Sequence, residues 1–501
     1  MRARVTRRSI AWLAVASALL TMAGACPAQS VLTYHNDPAR TGNFIVPSLT
    51  WERARSLHVD PGFQPRFAGH LYAQPLYWQA PGSSAAMLVV ATEDDGVHAF
   101  DARSGREIWM RSLGRPVPLS TQPCGNIDPL GITGTPVIDA TTQTLYVAAM
   151  VGDASGAHHR IFALSLRDGS AQPGWPLDVA EALAARGRRF DTRVQGQRSA
   201  LAILAGRLYV PYGGHFGDCG DYRGWVVGIR PNDPRDIVAW STRGRGGGIW
   251  APGGISSDGR SLFVGTGNTF GTAAWADGEA VFRLTPDLAH NDRPQDFFAP
   301  SNWHVLDERD ADLGGTNPTL LDVPSPGGLQ PLVLALGKDA HAYILDRNNL
   351  GGVGGSLVSE IVSTRAIRTA PAAFPAADGM LVAFQGEGAH CPTSRRDDNL
   401  TVLLIRAGSP PSLTTAWCGA FSGAGAPIVT TTDGRSNPIV WILGAEGDGR
   451  LHGYRGDTGE PLFTGGGSGE AMSGLRHFQT LLATGDRLYV GADGRLYAFS
   501  L

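Results

Sequence analysis

One strand–turn–strand unit is written eight times along this chain, and that repetition restricts the fold more than any other feature. The clearest copy runs Leu88-Val89-Val90-Ala91-Thr92, turns near Gly96 and continues Val97-His98-Ala99-Phe100-Asp101. It then passes Ser104-Gly105 and ends on Ile108-Trp109. The first run is continuously apolar and the second alternates, which fits short strands stacked within a sheet. The unit returns at Leu145-Tyr146-Val147, Leu208-Tyr209-Val210, Leu262-Phe263-Val264 and Leu332-Val333-Leu334. Later copies stand at Leu381-Val382-Ala383, Val440-Trp441-Ile442 and Leu488-Tyr489-Val490.

About 470 residues remain beyond residue 28, nearly 60 for each copy, which suits a four-stranded propeller blade with its loops. Sixty-six Gly and 33 Pro supply turns too densely for a helix bundle. A sandwich of unrelated hairpins would not repeat the turn and its aromatic ending. The expected fold is all-β: a single eight-bladed β-propeller spanning residues 29–501. The last copy stops inside a blade, so a strand near Val31 to Tyr34 is expected to pair with that blade and close the ring. Val179 to Arg186 is the one helical-looking piece, read as a loop insertion.

Residues 1–28 read as a signal peptide: basic Arg2 to Arg8, apolar Ile10 to Met22, then small Ala23-Gly24-Ala25, with cleavage after 25 or 28. Cys26 leaves a lipid anchor open as the one membrane attachment. The expected location is periplasmic or secreted. The whole chain carries a formal charge of −3; losing Arg2, Arg4, Arg7 and Arg8 takes it to −7. No basic stretch offsets this, which speaks against nucleic-acid binding. Four cysteines follow Cys26, and an even number in an oxidising compartment points to two disulfides. Cys391 and Cys418 flank one hairpin-like unit, which favours their pairing and leaves Cys124 with Cys219. A zinc site of His215, Cys219 and Cys124 is the competing reading, without any Cys-x-x-Cys pair to support it.

Asp95-Gly96-Val97-His98-Ala99-Phe100-Asp101, with Gly105-Arg106-Glu107-Ile108-Trp109, resembles repeats of the pyrroloquinoline-quinone-like (PQQ-like) β-propeller superfamily. Tyr34-His35-Asn36-Asp37, Gly131-Ile132-Thr133-Gly134-Thr135-Pro136 and Tyr222-Arg223-Gly224-Trp225 are similar to a bacterial group of exported PQQ-like repeat proteins. The superfamily mixes quinone-dependent dehydrogenases with non-catalytic scaffolds, so the resemblance implies a fold and leaves the activity open.

In the dehydrogenases a Trp after a Gly run stacks on the quinone, and an Asn ending a Gly-Thr-Gly-Asn run binds calcium. Gly246-Gly247-Gly248-Ile249-Trp250 and Gly265-Thr266-Gly267-Asn268 match that pattern, 18 residues apart from Trp to Asn. The resemblance thus implies cofactor binding for Trp250 and a calcium ligand in Asn268. It places Asp312 where those enzymes carry their catalytic Asp, and Lys338 where they carry a quinone-contacting cation. Lys338 is also the only Lys against 41 Arg. Two departures oppose an enzyme. Cys219 stands where a calcium-binding Glu is expected, and Cys124 is followed by Gly125 rather than a second Cys.

The expected function is therefore an exported propeller, a monomer, that binds an unknown partner or a small anionic ligand without catalysis or cofactor. A PQQ- and calcium-dependent alcohol or sugar dehydrogenase is the alternative.

Overall fold

The computed structural model describes residues 29–392 and 399–501; the expected signal peptide and Cys26 lie outside them. The eight copies form eight antiparallel blades around one axis. Blade one shows the plan: Leu76–Gln79 innermost, then Ala86–Ala91, Gly96–Asp101 and, outermost, Glu107–Ser112. Middle strands are covered on both faces by neighbouring blades, so they read as continuous apolar runs. Leu262–Thr266 of blade four, for example, is buried at every position.

The aromatic that ends a copy ties one blade to the next. Trp109, on the outer strand of blade one, donates its indole N–H to the Leu166 carbonyl of blade two at 2.9 Å. Its ring lies over Gly169, where a Cβ would approach Cε3 to 2.7 Å. Trp417 of blade six repeats the arrangement on Gly456 and Gly459 of blade seven.

The ring is closed by the N-terminal part of the chain, but not by the residues expected. His58–Val59 pairs with Phe499 and Ser500 as the outermost strand of blade eight, whose inner three strands come from the C-terminus. Val31 instead pairs with Tyr77 of blade one. The vacancy in blade eight is on its outer edge, whereas the buried apolar Val31 and Tyr34 belong on the axis.

Residues 29–45 form a hoop inside the ring that touches every blade in turn. Gln29 accepts from Thr484 of blade eight, Leu32 accepts from Ile138 of blade two, and Pro38 accepts from Ser257 of blade four. Ala39, Thr41 and Gly42 accept from Leu320, Ala373 and Val429 of blades five, six and seven. Asn43–Ile45 then runs parallel to Val429–Thr431. Arg40, 1% exposed, donates to the carbonyls of Leu201, Ile255 and Tyr34, reaching blades three and four.

Three short helices occur among the described residues: Trp51–Ala54, Val179–Ala184 and Trp303–Arg309. The second is the expected insertion, started by Asp178, whose side chain accepts from the Glu181 N–H. None is long and apolar enough to cross a membrane.

Candidate functional site

The second strands of blades three, four and five end at Gly214, Thr266 and Leu336. The chain just beyond or beside each end lines a cavity of about 480 Å³. Gly246 and Gly247 have φ of +88° and +64°, and a Cβ on Gly224 would meet the Gly247 carbonyl at 2.0 Å. This close glycine packing carries the chain inward and presents Trp250 to the cavity. Beneath it, Tyr34 of the hoop shares a small void with the cavity residues Arg198 and Phe478.

Trp250, Asn268, Asp312 and Lys338 all line this cavity. Asp312 is their hub. Its Oδ1 accepts from the Asn268 backbone N–H at 2.7 Å, and its Oδ2 accepts from Trp250 Nε1 at 3.2 Å. Lys338 Nζ lies 2.5 Å from the same Oδ2 and 2.9 Å from Asp310 Oδ1. That ammonium stands 5.2 Å from the centre of the Trp250 ring, within cation–π range. Burial opposes its charge, yet the two carboxylates outweigh burial and hold the Lys338 pKa above its usual value. Gly267 is required here: a Cβ would fall 2.4 Å from Asp312 Oδ1. Behind the hub, Glu279 accepts from the Leu313 N–H, and burial together with the Asp312 charge raises its pKa well above the carboxylate range.

The other wall was not legible as a site. Arg198 and Arg368 line the cavity with no ion-pair partner among the described residues. Arg198 makes one long contact, 3.5 Å to Asn126 Oδ1. Asp218 accepts from the Tyr222 hydroxyl at 2.6 Å, and burial raises its pKa. Phe478 closes the cavity across from Trp250, with ring centres 6.5 Å apart.

Cys124 is bonded to Cys219, and Cys391 to Cys418. The first bond ties the loop carrying His215, Phe216 and Asp218 to the loop carrying Asn126. It removes both thiolates from the zinc reading. It also occupies the position where a calcium-binding carboxylate was sought. Calcium needs six to eight oxygens. The oxygen-bearing side chains available include Asn268 and three carboxylates, and each carboxylate is already engaged: Asp312 by three protein groups, Asp310 by Lys338 and Asp218 by Tyr222. Among the described residues no cluster of three or more His, Cys, Asp or Glu is placed to hold a metal ion. The stacking face suits a planar quinone; the donor set does not suit its calcium.

No protein-family profile matches the chain, and no curated protein matches it. Solved structures do. The chain resembles a quinohemoprotein alcohol dehydrogenase from Comamonas testosteroni with a TM-score of 0.64 and 17% identity, covering 95% of this chain and 81% of that one. A europium-containing methanol dehydrogenase gives 0.62 and 13%, over 94% and 98%. BamB from Moraxella catarrhalis gives 0.50 and 15%, over 89% and 100%. The resemblance read from the repeats thus holds at the level of fold: this is an eight-bladed β-propeller, the architecture these solved structures share. Enzymes and BamB share that architecture, so the fold does not select an activity.

Proposed function

We propose that this chain is an exported, monomeric, non-catalytic propeller that binds a small planar anion in its axial cavity. The observation that carries the reading is the state of Asp312. A general base needs a free lone pair aimed at the substrate proton. Three of the four acceptor sites of Asp312 are taken, by the Asn268 N–H, the Trp250 indole and Lys338, which leaves at most one to face a substrate. The cavity still offers an indole face and the guanidiniums of Arg198 and Arg368, which have no carboxylate partner among the described residues. Stacking and charge together recognise a planar anion without a metal. The negative mature chain and the two disulfides support export over nucleic-acid binding.

A PQQ- and calcium-dependent dehydrogenase is the second reading. It is favoured by the meeting of Trp250, Asn268, Asp312 and Lys338 in one cavity. An activity assay separates the two. Mature protein incubated with PQQ and calcium, then given primary alcohols or aldoses and an artificial electron-accepting dye, should leave the dye oxidised. Dye reduction that requires calcium and is lost in D312N would establish the dehydrogenase instead.

A further inference from the structure

After the closing strand His58–Val59, the chain leaves the outer edge of blade eight at Asp60 and returns to it at Arg66. There Arg66 stands directly opposite Arg495. Phe67 donates its N–H to the Gly494 carbonyl at 3.2 Å, and Leu496 donates to the Pro65 carbonyl at 3.4 Å. Bonds on either side of the pair, and none within it, define the antiparallel pairing in which side chains come closest. Two arginine side chains are thus set beside each other on one face of the blade. Like charges opposed in this way destabilise a sheet.

No counter-charge from the protein relieves them. Among the described residues neither side chain has a hydrogen bond or an ion pair, and even the buried Nε of Arg495 lacks an acceptor. The acids nearest in the chain are committed elsewhere: Asp60 to Arg487 at 2.7 Å, and Asp493 to Arg476 and His70. Arg495 is nevertheless held in place. Its Cζ lies 4.0 Å from the centre of the Tyr497 ring, whose hydroxyl accepts from the Ser473 N–H at 2.9 Å.

Arg495 and Tyr497 line a cleft of about 410 Å³ that shares no residue with the axial cavity. Val59 and Pro61 form one wall, and the loop of Gly467, Gly469 and Glu470 forms another. A Cβ on Gly467 or Gly469 would meet nothing within 4 Å, so the loop leaves space beside it. Glu470 Oε2 accepts from the Gly467 N–H at 3.0 Å, and its Oε1 is left over as an acceptor. A carboxylate in this cleft would carry one charge and leave one guanidinium uncompensated. A phosphate monoester carries about −1.5 to −2 at pH 7 and three acceptor oxygens, which suits two guanidinium forks at once. The cleft is far larger than a phosphate group, so it has room for the rest of the ester.

We infer that this cleft binds the phosphate monoester of a sugar or another small polyol. The phosphate bridges Arg66 and Arg495, and a hydroxyl of the organic part donates to Glu470. The site is separate from the axial cavity and does not depend on what binds there.

Isothermal titration of the mature chain at low ionic strength, with glucose 1-phosphate, inorganic phosphate and glucose as probes, tests each part. Glucose 1-phosphate should bind with a single equivalent, about tenfold or more tightly than inorganic phosphate, and glucose should not bind. R66Q and R495Q should each weaken glucose 1-phosphate about tenfold or more. R66Q removes one of two opposed like charges, so its ligand-free melting temperature should equal or exceed that of wild type. Binding lost in that variant is then not folding lost. Equal affinity for glucose 1-phosphate and inorganic phosphate would overturn recognition of an ester. Affinity that survives both R66Q and R495Q would place the anion elsewhere and overturn the site, as would an absence of binding at millimolar concentration.

Discussion

Gly267 shows how narrowly the hub is built. A methyl there would sit 2.4 Å from Asp312 Oδ1 and 3.3 Å from Trp250 Nε1. G267A should therefore cost about 1–3 kcal/mol in urea unfolding and weaken ligand binding together with stability. A second residue-scale expectation concerns Glu93 and Asp95. Burial lifts Glu93 to about 7, and burial with the Glu93 charge lifts Asp95 to about 8. Both acids hold protons more tightly folded than unfolded. Their contribution to stability is therefore greatest at low pH and is lost as pH rises through about 7 to 8. Urea midpoints at pH 6, 7 and 8.5 should fall, and E93Q should flatten the fall by on the order of 1–3 kcal/mol. An identical slope in E93Q would contradict this. Trp250 and Asn268 were legible because glycine runs and a fixed spacing mark them. Arg198 was not, since it is one of 41 arginines and its distinction is the lack of a carboxylate partner among the described residues, a property only tertiary structure creates. Lys338 stood out by composition, but its neutralisation by Asp310 and Asp312 depends on how two loops meet.

At the scale of elements, Gly169 and Gly187 provide a matched pair. Both have positive φ, +69° and +70°. A Cβ on Gly169 would strike the Trp109 ring, whereas one on Gly187 meets nothing within 4 Å. G187A should thus cost only the backbone strain, about 1 kcal/mol. G169A should cost roughly 2 kcal/mol more, because the blade-to-blade tryptophan must shift. Equal losses in urea titrations would show that the tryptophan tie carries no such cost. The strand closing the ring explains a misreading. Val31-Leu32-Thr33-Tyr34 has the β-branched and aromatic content of a strand, while His58–Val59 is two residues long with no periodicity to detect. Sequence pattern marks what can form a strand; which edge it joins depends on the edges left open. D60P should remove the N–H that Asp60 donates to the Ala498 carbonyl across this edge and lower thermal stability. A melting temperature equal to wild type would contradict closure by this strand.

For the whole molecule, the eight repeats made the ring legible because each copy spells out the same turn and aromatic ending. The hoop was not legible: its hydrogen bonds run from an irregular segment to strands hundreds of residues away, such as Val429 and Thr484. The Cys124–Cys219 bond spans 95 residues and joins two walls of the cavity. Loop-entropy arguments allow it up to about 4–5 kcal/mol. The paired C124A/C219A substitution should lower stability toward that bound and weaken ligand binding as well, because the His215 loop loses its tether. Calorimetric titration of the mature protein with PQQ in the presence of EDTA, alongside W250A, tests the central claim most directly. Saturable binding of one equivalent without calcium, weakened about tenfold or more in W250A, is the expected result. Absence of binding until calcium is added would contradict it.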